Sequence, residues 1–367
     1  MKITFDQKDK NQFFEALRVN INTYLSENNL TRFANGYVFF KTAFFLAIYV
    51  GSFVFIYTAN LHNAGAYLII SAFVIAGWTK ICLVLNAAHD AVHNAFSANK
   101  FINGFCARFF DFVGSSSYLW GLRHVHSHHT YTNIDGYDTD IMQTGVMQIV
   151  PAEQKKRMFK YQHLYLPFLY LLFTMSNMFK RDVTDISSSK IGGKENIVHP
   201  VGEVIGFICF KLFYLFYALV APIVIIGISW KIVVPGFIFM HFAASIATVF
   251  ALFSAHIHEE SVFPEPDETG KINCSWAEHQ MKVTQDYATT NPLMGFMFGR
   301  VNYHVPHHLF PNYNQAHFPA MKRIIKKTAD EFGIAYLEMA TISGALSSHF
   351  AYLKRNGMPV VRQMMNE

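Results

Sequence analysis

The sequence predicts an all-α integral membrane protein, with four transmembrane helices in two hairpins and a cytoplasmic helical cap at one end of the stem. Three observations predict it. The composition is 52% hydrophobic, 16% aromatic and only 15% charged, against roughly 25% charged in an ordinary soluble domain. The apolar residues gather into four runs close to the ~20 residues that span a bilayer. The lysines and arginines fall unevenly on the two sides of those runs.

Composition also excludes some classes. The net charge is a modest +5 and the lysines form no aromatic-interleaved patch, so nucleic acid is not an expected partner. The four cysteines include no CxxC and no disulfide framework, which suits a reducing compartment. The opening MKITFDQKDK lacks the charged, apolar, small-residue order of a cleaved signal peptide.

Residues 1–37 are polar and mixed in charge and read as a cytoplasmic segment, with a surface amphipathic helix around Phe13, Phe14, Leu17 and Ile21. From 38 onward the chain reads as one domain. Its spans are expected at about 38–57, 67–85, 204–229 and 232–254, and the cap at 86–203 and 255–367. The link TANLHNAGA makes the first hairpin, and Trp230 and Lys231 make the second. The segment between the hairpins carries Lys100, Arg108, Arg123, Lys180 and Arg181 among its cations, and the tail is also basic. The hairpin links hold only Lys231. By the positive-inside rule the N-terminus, middle segment and tail are cytoplasmic. Lys41, Lys80 and Lys211, in the cytoplasmic halves of their spans, are expected to reach up to the headgroups. The apolar stretches 161–179 and 101–119 are interrupted by polar residues and Pro167 or Gly114, and read as interfacial helices. Residues 187–193 and 263–270 read as loops, and 324–332 as a solvated amphipathic helix.

This topology gathers the histidines. His89 and His93 are an i, i+4 pair just past the second span. His124, His128 and His129 stand at i, i+4 and i+5, and His304, His307 and His308 at i, i+3 and i+4. All three clusters fall on the cytoplasmic side. Imidazole is the commonest neutral ligand for iron, zinc and copper. Eight imidazoles are too many for one ion, so the cap is expected to hold a dinuclear metal site.

The text HDAVH at 89–93, WGLRHVHSHHTYTN at 120–133 and NYHVPHHLFP at 302–311 resembles the three histidine boxes of the membrane fatty acyl desaturases. The resemblance runs from about residue 38 to 340. Residues 129–141 and His256–Glu259 are similar to the bacterial branch near the linoleoyl-CoA and front-end enzymes, which implies a bacterial inner-membrane location. The family implies two non-haem iron ions that use O2 and two electrons to insert a cis double bond into an acyl chain, carried as acyl-CoA or on a lipid. It also implies a ninth ligand, at His256. Carried over box by box, one iron takes His89, His129, His256 and His307, and the other takes His93, His124, His128, His304 and His308. No catalytic residue beyond these ligands is expected. The third box begins with His304, where front-end enzymes usually have Gln. The only HPGG-like text, at His199–Gly202, has no cytochrome b5-like surroundings. The electron donor is therefore expected to be a separate protein of ferredoxin or cytochrome b5 type.

Asp90, Asn133, Asp138, Asp140 and Glu259 are expected to orient ligand histidines through the second ring nitrogen. His126 and His258 are expected to be surface or supporting groups. His241, within the fourth span, is expected to hydrogen-bond a neighbouring helix. Two other functions fit less well: a hydroxylase or ketolase on the same scaffold, and a metal-binding transporter. Transporters place polar ligands at mid-bilayer, whereas these histidines cluster at helix ends.

Overall fold

A computed structural model describes residues 3–6, 12–142, 145–152 and 156–358. Most of the opening decapeptide read for a signal sequence lies outside them. Among the described residues, four helices are long and apolar enough to cross a membrane: Gly36–His62, Ala66–Val92, Val201–Val224 and Trp230–Ala255. The first starts where the Asn35 side chain accepts from the Val38 N–H at 3.1 Å. It ends in a 3₁₀ turn, with Asn63 in the left-handed region (φ 49). The third span stops at Val224, short of the expected 229. Gly227 turns the chain at φ 78, and the Ser229 hydroxyl accepts from the Lys231 N–H. Trp230 and Lys231 are therefore the first turn of the fourth span and not the link.

The second and fourth spans are the inner pair, with 61% and 56% of their most apolar windows buried, against 39% and 22% for the first and third. Small residues allow that closeness. A Cβ on Gly77 would lie 1.9 Å from the Met240 carbonyl oxygen, and one on Gly236 would lie 2.4 Å from the Phe73 ring. Without a hydrophobic drive between helices in lipid, such close backbone packing is what holds two spans together.

Lys41, Lys80 and Lys211 turn inward onto protein acceptors rather than out of the stem. Lys41 is 1% exposed and Lys80 3%. Lys41 Nζ donates to Gln315 Oε1 at 2.7 Å and Lys80 Nζ to Tyr214 Oη at 3.3 Å. Lys211 Nζ donates to Asp182 Oδ2 and to the Gly114 carbonyl, both at 2.6 Å. Tyr214 stands on the third span, whereas Gln315, Gly114 and Asp182 belong to cap elements that fold down onto the stem and supply the other acceptors. A buried amine is tolerated only where such partners meet it.

The stretch 161–179 is broken into Gln162–Tyr170, Phe173–Ser176 and a π turn at Asn177–Arg181. It lies against the fourth span, where the Thr174 N–H donates to Ser245 Oγ at 3.1 Å. Residues 101–119 likewise form short helices, Lys100–Ala107 and Phe109–Phe112, followed by the start of Ser117–Arg123. The N-terminal helix Gln12–Glu27 buries Phe13, Leu17, Ile21 and Leu25. Its partner is Phe318–Glu331, through Met321, Ile325 and Ala329. Two-residue parallel ladders pair Thr4–Phe5 with Lys271–Ile272 and Asp286–Tyr287 with Glu338–Met339. The second ladder places Asp286 Oδ1 to accept from the Val305 N–H at 2.9 Å, which seats the helix His304–Leu309.

Candidate metal centre

The second span does not stop at the expected membrane boundary. It continues through a π turn, Val84–Ala88, into His89–Val92. That extension carries His89, and His93 closes it. Residues 124–128 also wind as a π turn, between Ser117–Arg123 and His129–Tyr131. The wider turn matters. At about 100° per residue an α-helix would place His129 roughly 140° round from His124. The i→i+5 winding advances less per residue and brings His124, His128 and His129 onto one face. Asn133, at φ 58, ends this segment. His256 follows the fourth span directly.

All nine rings are buried and meet at one end of the stem. Their ligand atoms fall into two groups of four, each with atoms within 4.8 Å of one another. One group is His89, His93, His124 and His307, and the other is His128, His256, His304 and His308. This differs from the division carried over from the box order. His256 joins the group with His128, while His93 and His124 join His89 and His307. The reason is spatial. His256 leaves the fourth span beside His304, with centroids 4.6 Å apart, whereas the His89 ring lies 4.5 Å from His307. His129 stands between the groups. Its Nε2 is 3.1 Å from His124 Nε2, and its ring lies 4.3 Å from His308.

The second group fixes its own tautomers. His128 Nδ1–H donates to Asp138 at 3.0 and 3.1 Å. His256 Nδ1–H donates to the Val283 carbonyl at 3.0 Å, and His304 Nδ1–H to the Val301 carbonyl at 2.8 Å. His308 Nδ1–H donates to Gln280 Oε1 at 2.8 Å, an amide oriented by its own donation to the His129 carbonyl. With each proton on Nδ1, four Nε2 lone pairs converge. His256 Nε2 lies 3.1, 2.8 and 3.1 Å from the Nε2 atoms of His128, His304 and His308. Four lone pairs aimed at one point repel unless a cation sits among them. A metal with nitrogen ligands at about 2.0–2.1 Å sets those nitrogens about 2.9–3.4 Å apart, which matches. In the first group His89 Nδ1–H donates to Asp90 Oδ1 at 3.2 Å. His93 Nε2 is a buried nitrogen with no hydrogen-bond partner, as is His129 Nδ1. The donor set fits a pair of metal ions.

For seven of the rings the electrostatics agree, and His128 is the exception, holding a proton that a bound metal would displace. Burial holds His93, His124, His129, His256, His307 and His308 well below the ordinary histidine value, and His304 at about 3. These rings present lone pairs rather than protons. Burial opposes protonation of His128 as well, but the carboxylates of Asp138 and Asp140 raise it to about 9. An aspartate on Nδ1 makes a ligand imidazole more basic.

The expected supporting residues behave differently from one another. Asp90 and Asp138 each touch a ring nitrogen. Asp140 is half-exposed and stands 3.8 Å from His128 Nδ1. Asn133 touches no ligand ring nitrogen. Its N–H donates to Asp138 Oδ2 at 2.9 Å and its amide to the His256 carbonyl at 3.2 Å. Glu259 is a correction. Its side chain is exposed, and its backbone N–H and carbonyl bind Ser348 and Arg355. The chain turns outward after His258, so the carboxylate leaves the site. His126 is exposed. His258 is buried outside both groups. His241 hydrogen-bonds Tyr214 at 2.9 Å and Thr174 at 3.0 Å. Sequence reasoning missed Gln280, Gln315 and the Val283 and Val301 carbonyls. Backbone carbonyls carry no residue signature, and the glutamines sit in no motif.

The profile of a family described as fatty acid desaturase matches residues 64–340. The chain is 32% identical to an sn-1 linoleoyl-lipid 6-desaturase of Synechocystis sp., over 97% of this chain and 98% of that protein. An sn-1 linoleoyl-lipid 6-desaturase of Arthrospira platensis is 28% identical, over 96% and 94%. An acyl-lipid (8-3)-desaturase of Physcomitrium patens is 27% identical, over 98% and 75%.

Proposed function

This chain belongs to the fatty acid desaturase family, and from that premise we propose that it inserts a cis double bond into an acyl chain esterified to a glycerolipid. The relatives named above act on lipid-linked chains by their names, which supports a glycerolipid over a CoA thioester. The balanced reaction takes one chain –CH2–CH2– unit, O2, two electrons and two protons to –CH=CH– and two waters. A separate one-electron carrier supplies the electrons. The lysine and arginine asymmetry supports placing the site on the cytoplasmic face of the membrane.

The observation that carries the reading is the convergence of four Nε2 lone pairs at 2.8–3.2 Å beside a second histidine quartet. The ligands of the proposed pair of iron ions are His89, His93, His124 and His307 on one side and His128, His256, His304 and His308 on the other, with His129 between. Such a pair, when bound, supplies the dioxygen activation needed to take hydrogen from an unactivated methylene. The chain's own residues do the rest. Asp90, Asp138, Gln280 and the two valine carbonyls keep the ring protons off the ligand nitrogens. Trp120 stacks on His124 at 4.1 Å and Phe110 on Trp120 at 4.6 Å, an aromatic wall that excludes water from that flank. The stem lets an acyl chain approach without leaving lipid, at about 0.8 kcal/mol retained per methylene kept from water.

Expression in a host, with profiling of fatty-acid methyl esters from its lipids, tests this. New unsaturated species in the glycerolipid fraction are expected. Hydroxylated species in their place would overturn desaturation, and products confined to acyl-CoA would overturn the glycerolipid assignment.

A further inference from the structure

We propose that Lys41, on the first span, is a positioning residue for the metal centre: acting through Gln315, it fixes Asp90 and so the ring of His89. The inference rests on the two-ion reading above. Lys41 lies 48 positions before His89 in the sequence, and nothing local joins them. The join is made by the segment after the third histidine cluster. Lys41 Nζ donates to Gln315 Oε1 at 2.7 Å and to the Gly295 carbonyl at 3.3 Å. With its oxygen held by Lys41, the Gln315 amide presents its NH2 to Asp90 Oδ2 and to the Asn86 carbonyl, both at 3.2 Å. Asn314 Nδ2 donates to the same Oδ2 at 2.7 Å. The other oxygen, Oδ1, accepts from His89 Nδ1 at 3.2 Å.

The chemistry of the amide makes Lys41 decisive. A glutamine side chain has one acceptor end and one donor end. Here the donor end must face Asp90, because a flipped amide would set an oxygen against a carboxylate and a carbonyl. The acceptor end then points away, into a region where Lys41, Gln315 and Asp90 are all buried. An acceptor buried there without a donor is costly, and Lys41 is the donor. Without it the amide loses its fixed orientation, Asp90 Oδ2 keeps only the Asn314 amide and the Gln315 N–H, and the hold of Asp90 on the Nδ1 proton and ring plane of His89 loosens. Gly299 leaves little room for an alternative: a Cβ there would stand 3.0 Å from Gln315 Nε2 and 2.1 Å from the Leu85 carbonyl. Lys80 offers a control within the same stem. It is equally buried but reaches Tyr214, away from the ligand rings.

The test uses full-length protein in detergent, loaded with ferrous iron alone under anaerobic conditions and then challenged with a ferrous chelator. Wild type should release two ions. In Lys41→Met one ion should leave at least about tenfold faster, the usual scale for losing the partner of a ligand histidine, while the other keeps its wild-type rate. Gln315→Met should reproduce that split and decides the matter if Lys41→Met does not fold. Lys80→Met should release both ions at wild-type rates. A purely structural lysine would lower the unfolding temperature of the metal-free protein without splitting the two rates. Unchanged rates in both relay variants, equal acceleration of both ions, or the same split in Lys80→Met would overturn the proposal. Wild type that binds fewer than two ions would instead overturn the two-ion reading, and that failure shows before any variant is made.

Discussion

Replacing Asp138 by asparagine should loosen the second histidine group while leaving its shape intact. The carboxylate is fully buried and accepts from three N–H groups. Oδ1 takes the Asp140 N–H at 2.8 Å and His128 Nδ1–H at 3.0 Å, and Oδ2 takes the Asn133 N–H at 2.9 Å. Asparagine has one oxygen, so whichever way it turns, its NH2 faces at least one of those donors. His128 also loses the negative charge that raises it to about 9. A charge-assisted hydrogen bond contributes about 1.5–3 kcal/mol. Taking about 2–3 kcal/mol from the held geometry corresponds to about 30- to 150-fold in metal affinity, in line with the 10–100-fold typical for such partners. The assay is ferrous-iron release to a chelator, followed by lipid profiling of the expressing host. One of two ions should leave faster by that factor, and the unsaturated product should fall with it. Wild-type release from Asp138→Asn would refute the idea that the carboxylate orients His128.

Other substitutions probe the site and the stem. His307→Ala should abolish new unsaturated lipid and lower bound iron, whereas His62→Ala, in the exposed first hairpin, should leave both at wild-type levels. Gly77→Val should cost at least ~3 kcal/mol, because its Cβ would meet the Met240 carbonyl at 1.9 Å and the two backbones must separate; thermal unfolding in detergent reads it. Burial holds His349 at about 4, so the unfolded chain takes up that proton first, near 6.5. Stability of the metal-free protein should therefore fall as pH drops from about 6.5 to about 4, with His349 contributing up to about 3 kcal/mol. His349→Gln, which can still meet Tyr170, should flatten that slope; an unchanged slope would show that His349 does not titrate in this range.

The sequence by itself determined the features whose physics is local. A run of apolar residues of bilayer length is a span whatever surrounds it, so the stem was legible, and histidines spaced along short helices announced a metal site. The tertiary structure decided how those rings divide. The π turn at His124–His128 brings His129 onto the shared face, and the carbonyls of Val283 and Val301 set the tautomers of His256 and His304. Neither leaves a mark in residue type, because helix winding and backbone acceptors depend on packing rather than on side-chain identity. The span lysines make the same point. A lysine near a helix end reads as reaching for water, yet Lys41 turns inward because a glutamine 274 positions away in the chain supplies a nearer acceptor. Such a partner exists only once the cap has folded onto the stem.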